Sequence, residues 1–253
     1  MRLSIAFFGI AAFVALNLAA GPAATGWTMD KVDHSLLGEL LAKYVHAGEV
    51  DYAGFKADEE KLDRYLRQLE DVRPQDLSRN EQLAFYINAY NAYTIKLVLT
   101  GYPNIKSIKD LGTLWRSPWK KDFVRLEGRT MTLDDIEHGI IRPRFQDPRI
   151  HFAVNCAARS CPPLIPEPYR GDTLDEQLDG VTRAFVNNPE RNYLKGDTLH
   201  VSRIFDWYGE DFKEGIVAFF IQYGSADLQR AILGIGDRLK IRYLSYDWSL
   251  NGK

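Results

Sequence analysis

The chain has 253 residues, 45% of them hydrophobic and 12% aromatic, enough apolar material for a substantial core in one domain. Folding therefore need not rest on disulfides or a metal. Lysine and arginine number 32 against 34 acidic residues, a net charge of −2, which excludes the basic field that general nucleic-acid binding needs.

Residues 1–24 open with Arg2, run apolar from Leu3 to Leu18, and end in the small residues Ala19 to Ala24. That is the pattern of a secretory signal peptide. The apolar run is short for a membrane anchor of about 20 residues, and no later segment could cross a bilayer. The expectation is an exported protein, periplasmic or secreted, with no transmembrane segment after signal cleavage. Residues 25–75 read as a helical extension packed on the core, and residues 76–250 as the main domain.

Asp30 to Gly48 has helical spacing of Val32, Leu36, Leu37, Leu40, Leu41 and Tyr44. Gly48 to Gly54 reads as a turn with a short extended piece, and Ala57 to Leu69 as a second amphipathic helix. Ser78-Arg-Asn-Glu81 matches a capping box and opens a helix to Leu99 that is apolar almost all round, hence central. Ile105 to Leu111 is a helical turn. Residues 123–131, turning at Glu127-Gly128, read as a β-hairpin. Thr132 to Asp135 caps a short helix that Arg142-Pro143 is expected to stop. A strand is expected over 149–154, a helix from Thr173 to Asn187, and a hairpin over 192–201. Asp211-Phe-Lys-Glu214 has the spacing of a capping box for an aromatic helix reaching Tyr223. A helix over 226–233 and a strand over 239–243 complete the chain. Strands and helices do not alternate regularly, so a doubly wound parallel sheet is excluded. The fold class is α+β: a mostly helical single domain around a small, largely antiparallel sheet of hairpins.

The chain lacks G-x-G-x-x-G, P-loop, G-x-S-x-G and H-E-x-x-H patterns, so no cofactor is expected. Its chemistry concentrates between Arg149 and Pro163, which holds both cysteines, Cys156 and Cys161, together with His151. Two readings stand. In an oxidising compartment the pair would form a Cys156–Cys161 disulfide closing a small loop. Alternatively, Cys161 or Cys156 is a nucleophile, with His151 or His138 as base and Glu137 to orient it. Metal binding by His138, His151, Cys156 and Cys161 is not expected, because H-x4-C-x4-C is not a familiar zinc spacing. Candidate ligand-binding groups are Asn88 and Asn91 on the central helix, Asn155 and Arg159 in the cysteine loop, and Arg142. Polar side chains inside an apolar helix need partners or a wet cavity, so Asn88 and Asn91 read equally as site-lining or as structural hydrogen bonders.

Five pieces of the sequence together resemble the domain of unknown function 547 family. They are Asn80-Glu-Gln-Leu-Ala-Phe-Tyr-Ile-Asn-Ala-Tyr-Asn-Ala92, Ile136-Glu-His-Gly139, His151-Phe-Ala-Val-Asn-Cys156, Ser160-Cys-Pro-Pro163 and Ile204-Phe-Asp-Trp-Tyr208. The resemblance implies one domain in which these motifs belong together; it covers about half of the mature chain, and the segment before Gly48 lies outside its strongest part. It implies no catalytic residue. The functional expectation is an envelope-associated domain binding an unidentified small molecule or peptide. The alternative is a thiol-dependent hydrolase or transferase acting on an amide, thioester or peptide bond.

Overall fold

The computed structural model describes residues 31–113 and 115–252. The expected signal peptide lies outside them. Helix α1 (Ser35–Tyr44) buries Leu37, Leu40, Leu41 and Tyr44, one stripe at helical spacing. A minimal hairpin, β1 (Val45–His46) and β2 (Glu49–Val50), turns through Ala47 and Gly48, both at positive φ. Helix α2 (Tyr52–Ala57) was not expected from the sequence. It begins because the Asp51 carboxylate accepts from Gly54 N, capping a turn too short to show periodicity. Helix α3 (Glu59–Glu70) follows, burying Leu62, Tyr65, Leu66 and Leu69.

Helix α4 (Arg79–Leu99) is the centre of the molecule, with 18 of its 21 residues buried. Burying each large apolar side chain along it contributes about 1.5–3 kcal/mol. Ser78 caps it as expected, its hydroxyl accepting from Glu81 N at 3.3 Å. The reciprocal half of the box is not formed. Glu81 instead spends one carboxylate oxygen on Val32 N (3.0 Å) and the other on Gly171 N (2.8 Å), tying two distant loops to the helix start.

Hairpin β3 (Val124–Leu126) and β4 (Arg129–Met131) turns at Glu127 and Gly128, both left-handed, as the two-residue loop requires. Thr132 and Asp135 then cap a wide, π-type turn, Asp135–Ile141: Asp135 N donates to Thr132 Oγ1 (3.0 Å) and Thr132 N to Asp135 Oδ2 (2.9 Å). Pro143 does not stop the helix there, contrary to expectation. The chain continues as α5 (Arg142–Phe145), because a proline in the first turn of a new segment lacks only an N–H that has no helical partner. It ends at Gln146, in the left-handed region with φ 53°.

The expected strand over 149–154 is a correction. Pro148–Phe152 is a tight 3₁₀ turn, started by Asp147, whose carboxylate accepts from Arg149 N. Its apolar alternation has another cause: Ile150 points into one core and Phe152 into a second. Helix α6 (Leu174–Val186) leads to β5 (Tyr193–Lys195) and β6 (Thr198–Val201), an antiparallel pair. Short α7 (Ile204–Trp207), then α8 (Ile216–Tyr223) and α9 (Ala226–Ile235), precede β7 (Lys240–Tyr243), which runs parallel to β6. The expected capping box at Asp211–Glu214 is also corrected. Gly215, at φ 86°, begins α8, and the Asp211 side chain faces elsewhere.

The protein is thus α+β and mostly helical, the strands of the described residues lying in three small sheets. Its larger core joins α1, α2 and α3 to α4, so Leu37, Tyr52 and Tyr65 share one apolar cluster with Phe85 and Tyr90. A second, aromatic core holds Phe152, Phe185, Phe205, Phe212, Phe219 and Phe220. Among the described residues no helix is long and apolar enough to cross a membrane.

His34, at the start of α1, is 6% exposed; its Nδ1 pairs with the Tyr65 hydroxyl at 2.7 Å while Nε2 is buried with no partner among the described residues. Burial, only partly offset by Asp33, pulls the imidazole down to about 4. The unfolded chain, with an ordinary histidine near 6.5, therefore binds more protons than the fold between about pH 4 and 6.5. This contribution is fully present above pH 6.5 and is lost as pH falls toward 4, amounting to about 2–3 kcal/mol at pH 4.5. In urea unfolding at pH 7 and pH 4.5, His34→Gln should lose less stability than wild type by that amount. Equal losses in the two proteins would refute the assignment.

Candidate functional site

The cysteine loop is held by three asparagines. Asn91 on α4 donates from Nδ2 to Ala153 O (2.9 Å) and accepts from Asn155 N at Oδ1 (2.8 Å). Asn155 donates to Pro162 O (2.7 Å), closing the loop across its mouth, and its Oδ1 accepts from Ala157 N (2.8 Å) and Asn251 Nδ2 (3.2 Å). Asn251 Oδ1 in turn accepts from the Tyr52 hydroxyl at 2.7 Å. The bond from Ala157 N helps to hold Ala157 at φ 61°, a conformation L residues seldom adopt.

The C-terminal segment completes the frame. After β7 it runs antiparallel to the cysteine loop: Ser160 N donates to Asp247 O, Arg159 N to Ser249 O, and Asn251 N to Ala157 O. Beyond Asn251 it lies against β2, where Gly252 packs on Val50; a Cβ at 252 would sit 1.8 Å from the Val50 carbonyl oxygen. Only glycine lets the two backbones approach so closely.

These segments enclose a cavity of about 190 Å³, lined among others by Tyr90, Trp119, Glu137, His138, His151, Cys156, Cys161, Tyr208, Tyr246 and Trp248. Both cysteines are free in this structure, with no bond joining Cys156 to Cys161. The loop turns Cys161 Sγ onto the Cys156 amide, which donates to it at 2.8 Å, while the Tyr246 hydroxyl hydrogen-bonds Cys156 Sγ at 3.2 Å. Burial opposes ionisation of Cys156. Its hydrogen bonds with Cys161, Tyr246 and the Ala158 amide outweigh that and bring the thiol below its ordinary value. Cys161 goes the other way, pushed well up by burial and by the neighbouring Cys156 sulfur.

His151 is 2% exposed, because its tight turn sits between the two cores. Nε2 meets Asp211 Oδ2 at 2.6 Å, and the ring stacks on Tyr208 at 3.9 Å. Among the described residues Nδ1 is buried without a hydrogen-bond partner. Arg142 grips the same carboxylate through Nε (2.7 Å) and Nη2 (3.1 Å). Burial would raise Asp211, but the hydrogen bonds and charges of His151 and Arg142 hold it well below the usual carboxylate range. Glu137, 6% exposed on the π-type turn, accepts from the Tyr208 hydroxyl at 2.6 Å. Among the described residues no histidine nitrogen hydrogen-bonds either sulfur.

The cavity therefore brings together Cys156, Cys161, His138, His151 and Glu137. It does not take in the five expected ligand-binding residues. Asn88 is a backbone clamp, donating to Tyr169 O (2.8 Å) and accepting from Tyr169 N (2.9 Å). Asn91 and Asn155 build the loop. Arg142 is committed to Asp211, and Arg159 lines a separate cleft with Glu49, Arg191 and Asp247. Sequence reasoning missed Asp211, hidden by its false capping-box spacing, and Tyr246 and Trp248, which follow the last expected strand. No local signal marks those two, since Tyr246 meets Cys156 and Trp248 meets Trp119 across distant parts of the chain.

The fold and this cavity define an α+β domain built around a thiol, imidazole and carboxylate cluster. Residues 74–186 match the sequence model of the family described as "Protein of unknown function, DUF547", which supports a domain of that family over this stretch of the chain. No curated protein and no solved structure matches it. The match takes in Glu137, His138, His151 and both cysteines, whereas Tyr52, Tyr208, Asp211, Tyr246 and Trp248 lie outside it.

Replacing Asn91 by alanine leaves a buried N–H and a buried carbonyl unpaired, each costing about 1–3 kcal/mol. Asn91→Ala should lose about 2–5 kcal/mol in equilibrium unfolding and expose the 153–161 loop to faster hydrogen exchange. A loss under 1 kcal/mol would show that the loop does not depend on this clamp.

Proposed function

We propose that the cavity is a thiol-dependent active site, with Cys156 the nucleophile toward an amide, thioester or peptide carbonyl. The observation that carries this reading is the His151–Asp211 pair. Asp211 holds one ring nitrogen, Nδ1 has no partner among the described residues, and His151 lines the cavity that also contains the more acidic of the two thiols. A base oriented by a carboxylate beside a nucleophile is the arrangement acyl transfer uses on unrelated folds. As the S–C bond forms, the Cys156 proton passes to His151 Nδ1, and the leaving group departs with that proton. Water or a second nucleophile then gives its proton to His151 and takes the acyl group, restoring the thiol. Because Nδ1 and sulfur are not hydrogen-bonded to each other, the first transfer runs through the substrate or a bridging water.

A binding site without catalysis is the second reading. It is favoured by the loop's amides: Cys156 N is committed to Cys161 Sγ and Ala157 N to Asn155 Oδ1, so neither is free to stabilise an oxyanion. On the catalytic reading, that role falls to a side chain such as the Tyr246 hydroxyl.

Two measurements on the folded protein separate these readings. Iodoacetamide should alkylate Cys156, with a pH midpoint below the ordinary thiol value near 8.5, and should spare buried Cys161; Tyr246→Phe should move the midpoint up. With p-nitrophenyl acetate, acylation of Cys156 should release about one equivalent of p-nitrophenolate in a burst. Cys156→Ser should abolish the burst, and His151→Gln should slow it about 100-fold or more. A normal thiol midpoint without a burst would leave only the binding reading. We also propose that residues 1–24 direct export. In an oxidising compartment the two thiols would meet pressure to pair, so thiol counting on protein recovered from that compartment reports whether the nucleophile survives there.

A further inference from the structure

Glu137 is 6% exposed, yet among the described residues no lysine or arginine pairs with it; the nearest base is His138, whose Nε2 lies 4.0 Å from Oε1. A carboxylate so buried ordinarily has a cationic partner or a metal. The walls around it are aromatic. Six of the sixteen described residues lining the cavity are Trp or Tyr, two more are the acids Glu137 and Asp134, and none of the sixteen is Lys or Arg.

Four of those rings form one mutually packed set. Trp207 stands 5.6 Å from Trp248 and 4.8 Å from Tyr246, Tyr246 lies 4.6 Å from Trp248, and Trp119 is 5.7 Å from Trp248. The ring faces already attract cations at the cavity's edge. Lys109 Nζ lies 3.6 Å from the Trp248 centroid, and the Arg142 guanidinium 5.2 Å from that of Tyr208, although neither residue lines the cavity. Indole and phenol faces bind ammonium groups through the ring quadrupole, most strongly where water is excluded.

We infer that the cavity recognises an organic cation, a small amine or quaternary ammonium group. Its charge is balanced by Glu137 and its alkyl surface is covered by the rings of Trp119, Trp207, Tyr246 and Trp248. This deepens the reading of the cavity as a substrate site, and it places the cationic part of the substrate beside Cys156.

The test uses choline and its neutral isostere 3,3-dimethylbutan-1-ol on the wild-type protein, followed by tryptophan fluorescence and by protection of Cys156 from iodoacetamide. Choline should give saturable quenching and slow the alkylation, and the isostere should bind at least about tenfold more weakly. Glu137→Gln, checked for folding by circular dichroism, should erase most of that discrimination. Equal binding of the two probes, or binding of neither, would overturn the inference without calling on the variant. The p-nitrophenyl acetate burst fails or succeeds independently of choline. A missing burst with selective choline binding therefore removes the catalytic reading and keeps the cation site, and the reverse result removes only the cation site.

Discussion

The site depends on one buried relay, a tyrosine hydroxyl and three asparagines, Tyr52–Asn251–Asn155–Asn91. Each member sits on a different part of the chain, and Asn155 uses its backbone N–H, both its side-chain groups and the adjacent turn at once. A polar group left unpaired in this interior would cost as much as several apolar contacts gain, so the relay tolerates one loop geometry and penalises others. That geometry turns Cys161 inward, leaves Cys156 facing the cavity, and puts the left-handed residue Ala157 between Asn155 and the loop's far side. Carboxamides suit the task because each carries a donor pair and an acceptor without a charge to desolvate.

Around the relay the two cores divide the work. The larger one is mainly helical, and from it α4 presents Asn91 and Tyr90. The aromatic one packs α6, α7 and α8 against Phe152. The 3₁₀ turn between them sends Ile150 into one core and Phe152 into the other, which leaves His151 at the seam, stacked on Tyr208 and held by Asp211. Imidazole orientation is thus a consequence of packing on both sides. The same seam explains the ionisation pattern: Asp211 stays charged because two donors converge on it, and the two thiols, in contact with each other, are pushed in opposite directions.

Much of the scaffold was legible locally. The Ser78 cap and the all-round apolar run of α4, the Glu127-Gly128 turn, the hairpin over 192–201 and the helix from Thr173 obey short-range rules, and the structure has them within a residue or two. The errors share a physical origin. Ile150, Phe152 and Val154 alternate like a strand because burial on two sides mimics the strand period. Asp211 resembles a cap because a spacing of three residues cannot tell a backbone partner from a histidine 60 residues away. Pro143 resembles a stop because sequence does not reveal that a wide turn precedes it.

By itself the sequence determined the class of fold and the residues with chemistry to offer, since helical period, turn residues and the types of titratable side chain are local properties. It also located the family's motifs in the chain. Only the tertiary structure decided what those residues do. Asn155 and Arg142, which read as candidate ligand groups, and Asn88 and Asn91, which read equally as site-lining or structural, act as clamps because their partners lie on other segments. Cys156 and Cys161, which read as a staple or as a nucleophile, face each other unbonded, with the Cys161 sulfur aimed at the Cys156 backbone amide. Tyr246 and Trp248, silent in sequence, became cavity walls because the C-terminal segment pairs with the cysteine loop. Hydrogen bonding and burial depend on which atoms meet, and across 60 to 200 residues of separation only the folded chain sets that.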